Sequence, residues 1–208
     1  MGLKAVFLDR DGVINCFPGN GKYVTRVKEF KFLPGALDAI RTLTEEGYAV
    51  FIVSNQAGVG KGVYSQHKLD HITRNMLRDI RKAGGKIKRA FYCVHHPHDG
   101  CDCRKPQIGS IREGMKILGK SLRSAKYTYF VGDTKSDIEA GHSAGCRTIF
   151  VLSGREDRSY AARKWTIKPD YVARDLKDAL RIILPNDQPL PKRYYYRNPN
   201  GKAASRKQ

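Results

Sequence analysis

Residues 4–12 read Lys4-Ala5-Val6-Phe7-Leu8-Asp9-Arg10-Asp11-Gly12, an apolar run that ends abruptly in two carboxylates. The run is rich in β-formers and has no polar alternation, as expected of a strand buried on both faces. Such strands belong to parallel sheets. Their C-terminal ends open into the crevice where α/β sheets place ligands. Asp9 and Asp11 at that point repel each other and lose hydration, so the pair calls for a cation. A Mg²⁺ site in which one Asp also acts as a nucleophile meets that need. An EF-hand loop does not fit, because its third oxygen residue and its glycine are missing from the required positions.

Outward from this strand, apolar runs alternate with helical periodicity, which predicts a mainly parallel sheet with helices on both faces. Pro34 stands where a first helical turn would begin, followed by Leu37, Ile40 and Leu43 up to Gly47. Ala49–Val53 reads as a second strand. Ser65 is placed to cap a helix whose apolar face is Leu69, Ile72, Met76, Ile80 and Ala83, with Gly84-Gly85 ending it. The pattern then predicts a strand over Ile87–Cys93, a helix near Ile111–Leu118, a strand to Val131, a short helix from Ser136 and a strand over Arg147–Leu152. Asp170–Ala173 and Leu176–Leu184 are expected to form a last strand and helix. The stretch from Cys16 to Lys31 is too short for a large cap domain, so an open cleft is expected.

Three further segments repeat the theme of polar residues at strand ends. Ser54-Asn55-Gln56 follows the second strand, Arg104-Lys105-Pro106 sits between elements, and Tyr129-Phe130-Val131-Gly132 runs into Asp133-Thr134-Lys135-Ser136-Asp137. Acid pair, hydroxyl, lysine and second acid in this order resemble the haloacid dehalogenase-like phosphohydrolases over about residues 4–155. The resemblance implies a Rossmann-like three-layer α/β sandwich without a large cap. It also implies a Mg²⁺-dependent phosphomonoester hydrolase that works through an aspartyl-phosphate.

By that resemblance Asp9 is the nucleophile, and Asp11 protonates the leaving oxygen and then deprotonates water. Mg²⁺ would take an oxygen of Asp9, the main-chain carbonyl of Asp11 and Asp133, with Asp137 in support. Ser54 and Asn55 suit a transferring phosphoryl group, and Lys105 supplies a charge that counts most as the transition state develops. Arg10, Asn15, Gln56 and Arg104 are further expected substrate contacts. Gly58, Gly60 and Gly62 fit neither a P-loop nor a dinucleotide fingerprint and serve as a turn.

Cys93-Val94-His95-His96-Pro97-His98-Asp99-Gly100-Cys101-Asp102-Cys103 gathers three thiols and three imidazoles. Four soft ligands at this spacing suit a closed, structural Zn²⁺ site, pinning the loop that delivers Arg104 and Lys105. Spacing alone leaves the choice among His95, His96 and His98 open. The loop is similar to that of the zinc-containing phosphatase subfamily that includes heptose 1,7-bisphosphate and histidinol-phosphate phosphatases. By this resemblance the ligands are Cys93, His95, Cys101 and Cys103. Asp9–Asn15, Ser54–Gly58 and Cys101–Pro106 lean to the heptose enzymes, hence to a small sugar bisphosphate. Two departures leave histidinol phosphate as an alternative substrate. Cys16–Lys22 is longer than in the typical heptose enzyme, and Thr134 intervenes between Asp133 and Lys135.

The 208 residues fit one well-buried domain over 1–184, and hydrophobic residues make up 40%. No apolar stretch reaches the ~20 residues of a membrane span, and no signal-peptide core precedes Asp9. A cytoplasmic monomer is expected. Formal charge is +19, and residues 185–208 hold six Lys/Arg against Asp187, with four prolines and Tyr194–Tyr196. This segment reads as a mobile basic tail or an extended arm. So basic a chain favours anionic ligands. It leaves room for two nucleic-acid readings: an end phosphatase, or a non-catalytic binding protein.

Overall fold

The computed structural model describes residues 4–155 and 165–184. The tail expected over 185–208 lies outside the described residues. Six parallel strands lie in the order β3-β2-β1-β4-β5-β6: β1 (Ala5–Leu8), β2 (Ala49–Asn55), β3 (Ile87–Cys93), β4 (Thr128–Gly132), β5 (Arg147–Val151) and β6 (Tyr171–Ala173). Parallel neighbours require crossovers, which are supplied mostly by helices: α1 (Ala36–Glu45), α2 (Gln66–Lys82), α3 (Gly109–Ile117) and α4 (Lys135–Ala144), with α5 (Leu176–Ile183) closing the chain. The α/β class expected from the alternating pattern is the one observed.

Strand β1 is central, paired with β2 on one side and β4 on the other, so that Phe7 is in register with Phe51 and with Phe130. Its side chains alternate between two cores. Val6 and Leu8 join Val50, Ile52, Val131 and Ile149 under α1, α2 and α5. Ala5 and Phe7 join Phe51, Val53 and Phe130 under α3 and α4. Rings of Phe7 and Phe51 stack at 5.1 Å, and Phe7 and Phe130 at 6.4 Å, forming an aromatic row across the strands. Gly114 lets α3 lie on that row, since a Cβ there would meet Phe7 Cε1 at 2.5 Å.

The chain leaves β1 toward β2 and β3, then returns to build β4, β5 and β6 on the other side. The strand order therefore reverses between β1 and β4, and a crevice opens above their C-terminal ends. Between β1 and α1 only a 3-10 turn, Val27–Glu29, interrupts irregular chain, so the region holds no large cap.

Local expectations differ in detail. α1 starts after Gly35 rather than at Pro34; Gly35 is the N-cap with φ 76°, a left-handed conformation that glycine adopts without strain. Ser65 caps α2, its Oγ accepting from Lys68 N, but Ala83 is the C-cap, outside the helix. β2 continues through Ser54 and Asn55, because the ladder to β3 persists up to Asn55 and Cys93. Asp170 precedes β6; its carboxylate accepts from Thr148 N at 2.8 Å and from Thr148 Oγ1 at 3.0 Å.

Candidate active site

Asp9 follows β1, Ser54 and Asn55 end β2, and Asp133 follows β4, so three strand ends deliver polar groups to one crevice. A cleft of about 450 Å³ opens there, lined by Asp9, Asp11, Ser54, Asn55, Arg104, Lys105 and Asp133. Phe17, Lys22, Tyr23, Lys135, Glu139 and Arg155 also line it.

At its floor Lys105 Nζ lies 2.9 Å from Asp9 Oδ1 and 2.6 Å from Asp137 Oδ1, and it donates to the Val53 carbonyl at 2.7 Å. The lysine, expected to supply a charge toward a phosphoryl group, lines the cleft and pairs with the carboxylate that was expected to attack. Burial opposes its charge, yet Asp137 and Asp9 together raise its pKa. Asp137, fully buried, begins α4 with a capping box: its Oδ2 accepts from Thr134 N at 2.9 Å and Thr134 Oγ1 at 2.7 Å. The pattern Thr134-x-x-Asp137 was the available sequence signal for this role.

Asp133 Oδ2 accepts from Arg155 N at 2.6 Å, while its Oδ1 is buried with no partner among the described residues. Gly12 (φ 90°) and Gly154 press against this carboxylate, and a Cβ at either would overlap it. Carboxylate oxygens of Asp9, Asp133 and Asp137 come within 4.8 Å of one another. Burial, and then the neighbouring carboxylates, push Asp133 well above its ordinary value. Burial likewise lifts Asp9 to about 6, against the pull of Lys105. Three acids facing one ammonium leave excess negative charge, and with the unpartnered Asp133 oxygen this fits a hard divalent cation held by oxygen donors.

Asp11 turns the other way. Arg10 Nη2 reaches its two oxygens at 3.0 and 2.9 Å, Asn15 Nδ2 donates to Oδ1 at 2.8 Å, and Gln56 Nε2 donates to Oδ2 at 2.7 Å. Tyr64 in turn donates to Gln56 Oε1 at 2.6 Å. Arg10 is fully buried between the rings of Phe30 and Tyr92. Arg10, Asn15 and Gln56 were expected to touch substrate. In the structure their side chains are buried and donate to Asp11, which fixes the direction of that carboxylate. Tyr64 was missed, since nothing in its sequence surroundings marks it.

Asn55 is also engaged. Its amide donates to the Lys105 carbonyl at 3.1 Å and accepts from Lys105 N at 3.0 Å, stapling the end of β2 to the lysine loop. Ser54 Oγ lines the cleft and accepts from Gln56 Nε2 at 3.1 Å. One guanidinium nitrogen of Arg104 is buried beside the cleft without a protein partner among the described residues.

Just before this loop, the thiols of Cys93, Cys101 and Cys103 and Nδ1 of His95 form a compact cage. Its edges are 3.5 Å (Cys93–Cys101), 3.6 Å (Cys101–Cys103), 3.7 Å (Cys93–His95) and 3.3 Å (His95–Cys103). A tetrahedron with Zn–S of about 2.3 Å and Zn–N of about 2.0 Å has edges of about 3.8 and 3.5 Å, so the donors fit that ion. The cysteines are free of disulfides. Among the three histidines whose choice spacing left open, His95 joins the cage; His96 and His98 pair with each other, ring centroids 5.3 Å apart.

Comparison with known proteins gives the chain's relatives. A HAD-hydrolase-like family model matches residues 102–179. The D-glycero-beta-D-manno-heptose-1,7-bisphosphate 7-phosphatase of Pseudomonas putida is 34% identical over 157 residues, covering 76% of this chain and 87% of that one. The D-glycero-alpha-D-manno-heptose-1,7-bisphosphate 7-phosphatase of Campylobacter jejuni is 34% identical over 153 residues, 74% and 84% of the two chains. Among solved structures, the D,D-heptose 1,7-bisphosphate phosphatase of B. bronchiseptica, complexed with magnesium and phosphate, superposes with a TM-score of 0.78. It shares 32% identity over 87% of this chain and 98% of that one.

Proposed function

The chain belongs to the haloacid dehalogenase-like phosphatases, and on that premise we propose that it removes the 7-phosphate of D-glycero-D-manno-heptose 1,7-bisphosphate through a phosphorylated Asp9. The observation that supports this most is the division of labour between two carboxylates two residues apart. Asp9 faces the cleft with Lys105 on one oxygen, whereas Asp11 is held by three side-chain donors beside it.

Asp9 attacks phosphorus, a new Asp9 O–P bond forms and the bond to the sugar oxygen breaks. Asp11 gives its proton to that oxygen as it leaves. Water then attacks phosphorus, Asp11 takes a proton from it, and the Asp9 O–P bond breaks to release inorganic phosphate. Lys105 offsets charge on Asp9 in both steps, and Asp137 holds Lys105 in place. Ser54 and Arg104 supply donors for the phosphoryl oxygens or the sugar. Asp9, Asp133 and the Asp11 main-chain carbonyl would hold Mg²⁺, which, when bound, withdraws charge from the phosphoryl group. Cys93, His95, Cys101 and Cys103 would hold Zn²⁺ as a closed structural ion, two residues before Lys105. Reduced thiols there support a cytoplasmic setting.

The test is phosphate release with Mg²⁺ from the α- and β-heptose 1,7-bisphosphates, histidinol phosphate and 3′-phosphorylated DNA. Preference for a heptose bisphosphate, with the 7-phosphate lost, supports the proposal. Preference for histidinol phosphate or DNA keeps the chemistry and overturns the substrate.

A further inference from the structure

We propose that the solvent face of α2 and the strand edge that follows it form a sequence-independent binding surface for duplex nucleic acid, at the end of the sheet opposite the cleft. Arg74, Arg78, Arg81, Lys82, Lys86, Lys88 and Arg89 are all exposed. At 100° per residue, Arg74, Arg78 and Arg81 fall within about 60° of one another, opposite the buried Leu69, Ile72, Met76 and Ile80. Of these seven cations, only Arg78 has an acidic partner within 4 Å among the described residues, its neighbour Asp79 at 3.0 Å.

The stripe is continuous with the strand edge. β3 is the outermost strand, and its ladder to β2 skips Lys88 between Ile87 and Arg89, leaving both cations on the rim. Lys86 N donates to Thr44 Oγ1 at the end of α1. Four residues on, Tyr48 donates to the carbonyl of Ile183, where α5 ends.

Charge that serves solubility alone is mixed in sign. Here one acid, Asp79, stands among seven cations over residues 74–89. Four of the seven are Arg, whose planar fork suits phosphate oxygens. From Arg74 to Lys82 the helix rises about 12 Å, a length along which a DNA duplex presents about seven charges. Residues 66–89 contain no Phe, Tyr or Trp, and Phe91 farther along the strand edge is half-buried with the Arg89 guanidinium 5.7 Å over its ring, so contacts to the backbone outweigh base stacking. An anionic membrane is disfavoured because the large apolar side chains exposed among the described residues, Val63, Ile117 and Tyr127, lie outside this stretch.

The test uses the full-length protein with a mixed-sequence 24-base-pair DNA duplex, titrated from 50 to 200 mM salt, and with vesicles rich in phosphatidylserine. The comparison is a triple variant, Arg74→Gln, Arg78→Gln and Arg81→Gln, whose phosphatase activity should equal that of the parent because these side chains lie away from the cleft. The parent should bind the duplex with a steep salt slope, and the variant should bind at least about 10-fold more weakly, with the slope reduced by about 3. No duplex binding at 50 mM salt, equal binding by parent and variant, or binding to vesicles in preference to the duplex would each overturn the inference.

Discussion

Asp11 shows how much depends on residues that never reach the reacting atoms. A carboxylate that must carry a proton in one step and accept one in the next needs a fixed direction, and Arg10, Asn15 and Gln56 set it. Gln56→Leu keeps the volume and removes one donor. It should lower kcat by about 10-fold or more with little change in KM, as steady-state kinetics would read; an unchanged kcat would refute the positioning role. Arg10→Met removes a buried cation whose charge Asp11 stabilises against the cost of burial. Denaturant unfolding should show a loss of about 3 kcal/mol, since one member of a buried pair is left alone. The Asp9–Asp133 cluster gives a pH dependence. Both pKa values are raised in the fold, Asp9 to about 6, so ionisation is disfavoured there relative to the unfolded chain. For the metal-free protein this contribution to stability is fullest below the ordinary carboxylate value near 3.8 and is lost as pH rises through about 6. A cation reverses the balance by requiring the ionised forms. Mg²⁺ should therefore raise Tm more at pH 7.5 than at pH 5 in thermal-shift measurements, and equal shifts at both would count against the site.

At the scale of elements, the legible parts were those whose chemistry is local. Apolar runs ending in Asp9-Arg10-Asp11, Ser54-Asn55-Gln56 and Asp133 place polar groups at strand ends, and parallel pairing gathers strand ends at one crevice. The Cys–His spacing announced a cage but not which histidine enters it. The illegible parts were long-range: Lys105 meets Asp9, Val53 and Asp137, groups from three other segments, and no spacing encodes that meeting. Nor could sequence reveal that Arg10 is fully buried against Asp11, because its polar neighbours suggest an exposed loop. The cage and the lysine loop are mechanically one element, which makes a further expectation. Cys101→Ser should reduce bound zinc, read by metal analysis, and lower activity in parallel; full activity with zinc absent would separate the two.

Over the whole molecule, the strand order reversing beside β1 puts the acids that follow β1 and β4 in one cleft, with the Cys–His loop brought in from β3. The α/β class followed from alternating patterns alone. The cleft's lining did not: Phe17, Lys22, Tyr23 and Arg155 share it, Arg155 Nε donating to Asn20 Oδ1 at 3.0 Å across 135 residues of sequence. In the proposed reaction Asp9 carries the phosphoryl group between sugar and water. Its most direct test is rapid acid quench of the enzyme turning over heptose 1,7-bisphosphate radiolabelled at the 7-phosphate, followed by peptide mapping. Label should appear on the peptide containing Asp9, and none with Asp9→Asn, whose turnover should fall by about 10⁴-fold or more. Phosphate release with no label on the protein, or undiminished turnover by Asp9→Asn, would contradict it.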